Sequence, residues 1–273
     1  MASRMKVRLL GTGGAANERR HQACLLVGWG DEPGGGRVLL DTGSGLDVVR
    51  QLVAIGCSPT AVQDIFVSHQ HVDHVGGLEP LLLWSVMRTL REHGCPPREE
   101  TRVYAAPRVV ADIERLLDAI ASVAPRLFGG KLQLVPVADG ATVQVRGGAR
   151  LTAFLVDHQP SEGEAMGCLL ELDGVQLAYS GDTRPASRLV EAAQDIDLLI
   201  HEAGGLDEHA AEIHRQGHST AGDAGRAARV AGVGRLILTH LPTEALAEPM
   251  LAEARAAFSG PVEVATDLAL VEP

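Results

Sequence analysis

The sequence has no long apolar run, no paired cysteines and no excess of positive charge, and each absence removes a class of protein. A bilayer span needs roughly 18 consecutive apolar residues. The richest stretch, Leu81 to Met87, is short and includes Ser85. The first ten residues carry Arg4, Lys6 and Arg8 but no extended apolar core and no small-residue cleavage site, so no secretory leader is expected. The four cysteines (Cys24, Cys57, Cys95, Cys168) are scattered without a Cys-x-x-Cys spacing. That excludes a disulfide framework and a thiolate zinc site, and they read as small buried apolar residues. Lys and Arg number 24 against 35 Asp and Glu, a formal net charge of -11. Broad nonspecific binding to nucleic acid needs a basic surface, so this balance argues against it while leaving room for a local positive site. The expectation is a cytoplasmic protein with no membrane contact.

What is present is a core. The chain has 273 residues, 45% of them hydrophobic, which excludes disorder and suffices for a substantial interior. No linker, repeat or low-complexity segment divides it, so one domain over 1–273 is expected.

Strand and helix patterns alternate along the chain. Met5 to Leu10, Ala23 to Val27, Arg37 to Leu40 and Asp64 to Val67 read as strands, with a loop at Asp31 to Gly36 and a helix within Gly45 to Ile55. Helices follow at Gly77 to Glu92 and Pro107 to Ser122. Strands dominate Lys131 to Tyr179, with Asp173-Gly174 as a hairpin turn. The C-terminal third returns to alternation, with strands at Leu198 to Ile200, Leu236 to Leu238 and Val262 to Val264 between helices. Such an order predicts an α/β fold of two packed sheets flanked by helices. The turn Gly11-Thr-Gly-Gly14 lacks the Gly-x-Gly-x-x-Gly frame, since residue 16 is Ala, and reads as a tight turn more readily than as a phosphate loop.

Eleven histidines are the unusual part of the inventory, and they cluster. Directly after a buried strand stands Ser68-His69-Gln-His71-Val-Asp73-His74-Val-Gly-Gly77. In extended backbone His69 and His71 project to one side, and after a turn Asp73 and His74 face a neighbouring point. Two ligand pairs so spaced suit two metal ions, and imidazole with carboxylate suits zinc or a similar first-row ion. Glu79, on the following helix, is left out of the set. Four residues cannot fill two shells, and His158, Asp182 and His240 each lie two or three residues past an apolar strand. Singly, each has a plain alternative: a loop residue, a turn or helix cap, and a cap before Pro242. Their common placement at strand ends makes them a set.

This arrangement resembles the metallo-β-lactamase superfamily, which implies an αββα sandwich with a binuclear metal centre at one edge. The resemblance implies His69, His71 and His158 as ligands of one metal, Asp73, His74 and His240 of the other, and Asp182 as the bridge. It implies two divalent ions, zinc first, with manganese or iron as alternatives. Two further motifs resemble the ribonuclease Z branch: His201-Glu202-Ala203 after a strand and His218-Ser219-Thr220 at a helix start. Asp41-Thr-Gly-Ser-Gly45 and Ser180-Gly-Asp-Thr-Arg-Pro185 are in keeping with it. In that branch the Glu orients the His, which protonates the leaving oxygen; here these would be Glu202 and His218. The plain alternatives are a surface Glu and a helix N-terminus capped by Ser219. The branch also implies a homodimer.

One part of the branch pattern is missing. Ribonucleases Z that mature tRNA 3′ ends usually carry a long Gly/Pro-rich arm between the third-His and bridging-Asp motifs. Only 23 residues separate His158 from Asp182, filled by a turn and a hairpin. The stretch from Arg88 to Arg102 has four Arg to offer instead, but also Glu92, Glu99 and Glu100. The reading reached is a binuclear phosphodiesterase using a metal-bridging hydroxide, with Asp73 helping to position the nucleophile and with a small or short phosphodiester favoured over tRNA. A lactone or thioester hydrolase on the same centre and a metal-binding protein without turnover are the rivals. Arg184 is a candidate for a substrate phosphate contact or a surface salt bridge. His21, His93, His201, His209 and His214 get no role, the last two lying in a polar segment, Asp207 to Gly217, expected to be mobile.

Overall fold

Strands that alternate their side chains must bury two different faces, and this chain does so with two sheets. A computed structural model describes residues 5–30, 35–95, 97, 99–159 and 164–273. Most of the loop expected at Asp31 to Gly36, the first four residues, Arg98 and most of the turn after His158 lie outside the described residues.

The first sheet is built from β1 (Lys6–Gly11), β2 (Cys24–Trp29), β3 (Gly36–Leu40), β4 (Asp64–Phe66), β5 (Thr101–Ala105), β6 (Leu132–Pro136) and, returning from the far end of the chain, β14 (Leu270–Val271). Its order is β14-β1-β2-β3-β4-β5-β6. The β14 to β3 pairs are antiparallel and the β3 to β6 pairs parallel. The second sheet comprises β7 (Thr142–Gln144), β8 (Arg150–Val156), β9 (Ala165–Leu172), β10 (Val175–Tyr179), β11 (Leu198–Glu202), β12 (Leu236–Thr239) and β13 (Val262–Val264). Its order runs β13 to β7, with an antiparallel meander through β10 and parallel pairs beyond.

Helices supply the crossovers: α1 (Asp47–Ala54), α2 (Val72–Val75), α3 (Leu78–His93), α4 (Pro107–Ala119) and α5 (Ala124–Leu127) beside the first sheet, then α6 (Ser187–Ala192), α7 (Ala210–Gln216), α8 (Ala221–Ala231) and α9 (Ala247–Ala257) beside the second. The expected αββα sandwich is what is found. No helix among the described residues is long and apolar enough to cross a membrane.

The period of two decides which side of β11 each residue serves. Leu198 and Ile200 join the central core, which also holds Val27, Ile65, Leu151 and Leu170. Leu199 points the other way, into a second core with Leu189, Ala224, Ala228 and Met250 of the flanking helices. Continuing the alternation, Glu202 falls on the inner side and His201 on the outer. Both are buried, so the strand runs two residues further than its apolar pattern suggested.

Gly167 on β9 sits directly opposite Phe154 on β8. A methyl group there would enter the space of the Phe154 ring and lie 2.7 Å from the Tyr179 carbonyl oxygen. Gly167→Ala is therefore expected to destabilise the fold by about 1–3 kcal/mol through overpacking. A denaturant midpoint equal to wild type would show that the ring relaxes freely.

Candidate metal centre

The candidate residues gather where strands end. In open α/β sheets the carboxyl ends of parallel strands leave a crevice into which loops project side chains. His69 follows β4, Asp182 follows β10, His240 follows β12, and Glu202 closes β11. His158 follows β8 from the antiparallel part of the second sheet. After His69 the chain turns at His71, and Asp73 and His74 lie on the single turn α2.

Asp182 is the centre of the cluster. Its Oδ2 lies 3.3 Å from Nε2 of His74, 3.4 Å from Nε2 of His240, 3.8 Å from Nε2 of His69 and 4.0 Å from Nε2 of His158. His71 Nδ1 is 3.1 Å from His158 Nε2, and Asp73 Oδ2 is 3.2 Å from His240 Nε2. Among the described residues three groups could each enclose a cation: His69, His71, His158 and Asp182; Asp73, His74 and His240; and Asp182, His218 and His240. Within the cluster, His69 Nε2, His74 Nε2 and Asp182 Oδ1 are buried without hydrogen-bond partners. Buried polar atoms left unpaired are costly, and here their lone pairs converge, so the residues fit a metal ion.

Electrostatics agree with the donor set at His69, His158, Asp73 and Asp182. At His74 burial is overcome by the charges and hydrogen bonds of Asp182 and Asp41, which hold the ring well above the usual histidine range, a proton that a bound cation would have to displace. Burial, with the neighbouring imidazole of His74, holds His69 well below the usual histidine range, against the pull of Asp182. Burial also lowers His158. Asp73 is pushed down to about 2: burial opposes this, but the hydrogen bond to His240 and the charge of His74 outweigh it. Asp182 stays ionised because His240 and His74 overcome its burial. A ligating imidazole must be neutral and a ligating carboxylate charged.

A partner the sequence reading left without a role is Asp41, just past β3. It is fully buried and accepts hydrogen bonds from the Ser68 N–H (2.7 Å), Ser68 Oγ (2.8 Å), His74 Nδ1 (2.8 Å) and Tyr179 Oη (2.8 Å). It thereby fixes His74 with Nε2 turned to the cluster. The signal was available: Asp41 stands one residue beyond a buried apolar strand, as the other site residues stand at theirs.

The second polar pair is Glu202 with His218. Glu202 Oε1 accepts from His218 Nδ1 (3.0 Å), the Thr183 N–H (2.9 Å) and the Ser219 N–H (3.2 Å). Burial disfavours the His218 imidazolium, but the Glu202 charge and hydrogen bond, with Asp182 behind them, push its pKa up to about 9. His218 Nδ1 is 3.9 Å from Asp182 Oδ2, so the pair borders the cluster. Ser219 is not the cap of α8; its hydroxyl donates to the Thr183 carbonyl. Thr220 caps α8 in a reciprocal box with Asp223.

Other expectations resolve differently. The segment Asp207 to Gly217 is a 3-10 turn and then α7, tied down by Asp207 to Arg226 and by His214 to Asp223 at 2.6 Å. Gly217 closes α7 with φ +95°, and its carbonyl accepts from His158 Nδ1 at 2.8 Å. His201, left without a role, is a structural residue buried against the outer helices. His21 pairs with Asp47, and Glu79 accepts from Ser122. No helix follows the Gly11–Gly14 turn before β2; Gly14 N–H bonds the Leu241 carbonyl and packs the turn beside His240.

A cleft of about 280 Å³ opens over the cluster, walled by Gly14, Ala15, Ala16, Gly204, Gln216 and Pro242, with His71, Asp73, Asp182, His218 and His240 at its floor. A larger cavity of about 570 Å³ lies under α3 between Leu81, Leu82 and Phe128, away from these residues.

Residues 36–241 match the family described as the beta-lactamase superfamily domain, and the chain belongs to that superfamily. The solved structure of the metallo-beta-lactamase fold protein YhfI from Bacillus subtilis superimposes with a TM-score of 0.81 at 21% identity, over 99% of this chain and 100% of that one. Within the superfamily the kinship is to ribonucleases Z. The Myxococcus xanthus ribonuclease Z is 31% identical over 86% of this chain and 88% of its own length. That of Pyrobaculum calidifontis is 33% identical over 87% of this chain and 86% of its own. The chain is a ribonuclease Z homologue and a metal-dependent hydrolase.

Proposed function

We propose that the protein is a binuclear phosphodiesterase acting on small or short phosphodiesters. The observation that carries this is the pairing of His218 with Glu202 beside a cluster in which Asp182 reaches four imidazoles. In this reading His69, His71 and His158 hold one divalent cation, Asp73, His74 and His240 the other, and Asp182 both. Such cations, zinc by the nature of the donors, lower the pKa of water towards about 7 and neutralise charge on the phosphoryl oxygens.

The protein's own groups do the rest. His218 keeps a proton at Nε2, since Nδ1 is spent on Glu202, and gives it to the leaving alkoxide. Glu202 holds the ring in orientation and keeps it cationic. Asp73, low in pKa, is an acceptor that positions the attacking water.

The short substrate is supported by the cleft itself, whose lining among the described residues has no Lys or Arg to grip successive phosphates. The span between His158 and Asp182 is occupied by the β9–β10 hairpin, which leaves no length for an arm. The four cysteines are free, in keeping with the reducing cytoplasm. We further propose one domain over 1–273 acting as a homodimer.

The test is metal analysis and a substrate screen on one sample: bis(p-nitrophenyl) phosphate, an unactivated dinucleotide, an acyl lactone and a tRNA with a 3′ extension. Two equivalents of zinc with turnover of both small diesters are expected. Lactone turnover alone would assign acyl chemistry, and metal without any turnover a binding protein. Faster cleavage of the extended tRNA than of the dinucleotide would overturn the short-substrate reading.

A further inference from the structure

Arg184 lies two residues past Asp182, and its side chain joins three segments that each carry a candidate site residue. Its backbone N–H donates to the Asp157 carbonyl at 2.6 Å. Nη1 donates to the Asp157 carboxylate at 2.9 Å and to the His158 carbonyl, while Nε donates to the His214 carbonyl on α7. The first segment presents His158. The second runs through the last turn of α7 to Gly217 and His218, whose N–H donates to the Ile213 carbonyl at 3.0 Å. The third is Arg184's own, following Asp182. The same segments meet once more where the Asp157 N–H donates to Thr183 Oγ1 at 3.1 Å and His158 Nδ1 donates to the Gly217 carbonyl.

We propose that Arg184 is a positioning residue: its guanidinium sets the spacing of the His158 and His218 rings around Asp182. A planar fork can serve acceptors fanned around it, which a lysine ammonium on a flexible stem cannot do for all at once. The Nε and Nη1 donors are committed to protein oxygens, and the side chain is about three-quarters buried, at 26% exposure. This geometry replaces the alternative of a substrate phosphate contact. The assignment rests on the reading of His158 as a metal ligand and His218 as proton donor.

The experiment compares wild type with Arg184→Ala, Arg184→Lys and the milder Asp157→Asn. Amide exchange on metal-free protein, calorimetric titration with zinc alone, and kcat and KM on a dinucleotide and on bis(p-nitrophenyl) phosphate are measured for each. In Arg184→Ala, amides of residues 157–159 and 213–218 should exchange at least about tenfold faster while those of β4 and β12 stay as in wild type. One of two zinc steps should weaken roughly 10–100-fold, as for removal of a group that orients a ligand. On the dinucleotide kcat should fall at least about tenfold with KM within about twofold, and less on the activated ester. Lysine should restore part of this, and Asp157→Asn, which keeps the guanidinium, should show the same pattern in smaller measure even if Arg184→Ala folds poorly. Unchanged exchange in both segments would overturn the proposal. So would a raised KM at unchanged kcat, which would put Arg184 on the substrate. A wild type that binds no zinc would instead remove the metal reading, leaving the exchange comparison to decide the clamp.

Discussion

His218→Ala is expected to lower kcat on an unactivated phosphodiester by roughly 10²–10⁴-fold, the usual worth of a positioned general acid, while the rate on bis(p-nitrophenyl) phosphate changes little. The reason lies in the leaving group. An alkoxide leaves poorly without a proton, whereas p-nitrophenolate is stable as the anion. The ring is placed for this, with Nδ1 on Glu202 at 3.0 Å and the remaining nitrogen free for the cleft. Its pKa of about 9 means that it is protonated at neutral pH in the absence of cations. Equal losses on both substrates would point to displaced metal instead, since His218 also belongs to a group with Asp182 and His240 that could enclose an ion. Zinc content of the variant separates these outcomes.

Asp41→Ala should be the most damaging substitution for the fold. It removes one carboxylate and leaves four donors behind: the Ser68 N–H and hydroxyl, His74 Nδ1 and the Tyr179 hydroxyl. All lie in buried surroundings where water cannot replace the lost acceptor. Breaking such a buried charged network costs about 3–5 kcal/mol. Alanine must also adopt the φ of +56° found there, which adds about 1 kcal/mol of strain. Asp41→Asn tolerates that backbone and keeps one acceptor oxygen, so it should lose less. Denaturant unfolding of the metal-free proteins measures this without the contribution of bound ions. A loss below about 1 kcal/mol for alanine would mean that the donors find other partners.

Much of the second sheet was legible from local pattern because its elements follow chain order. The β9–β10 hairpin around Asp173-Gly174 and the apolar runs of β11 and β12 carry their own turn and strand signals. The short strand β14 carried none, because two residues are paired only by the presence of β1. Helix α7 was missed for a related reason. Its residues are polar on most sides, and it is held to α8 by His214 with Asp223, nine positions on, while the turn before it is held by Asp207 with Arg226, 19 positions on.

For the site, residue chemistry and strand ends marked seven ligand candidates, and the family resemblance added Glu202 and His218. A histidine-rich run after a buried strand is a local feature, and its residue types announce metal binding whatever the fold around it. What the amino-acid order could not decide was who meets whom. His201 and Glu202 are neighbours in the chain, yet the alternation of β11 sends one to the outer helices and the other to His218. Asp41 and His74 lie 33 positions apart and touch only because β3 and β4 pair in parallel. Asp182 occupies the middle of five imidazoles because two separate sheets present their strand ends to one crevice. Residue type and strand period are properties of short segments, so sequence alone determined them. The adjacency of strands is set by burial of both sheets in a common core, and only the tertiary structure decided it.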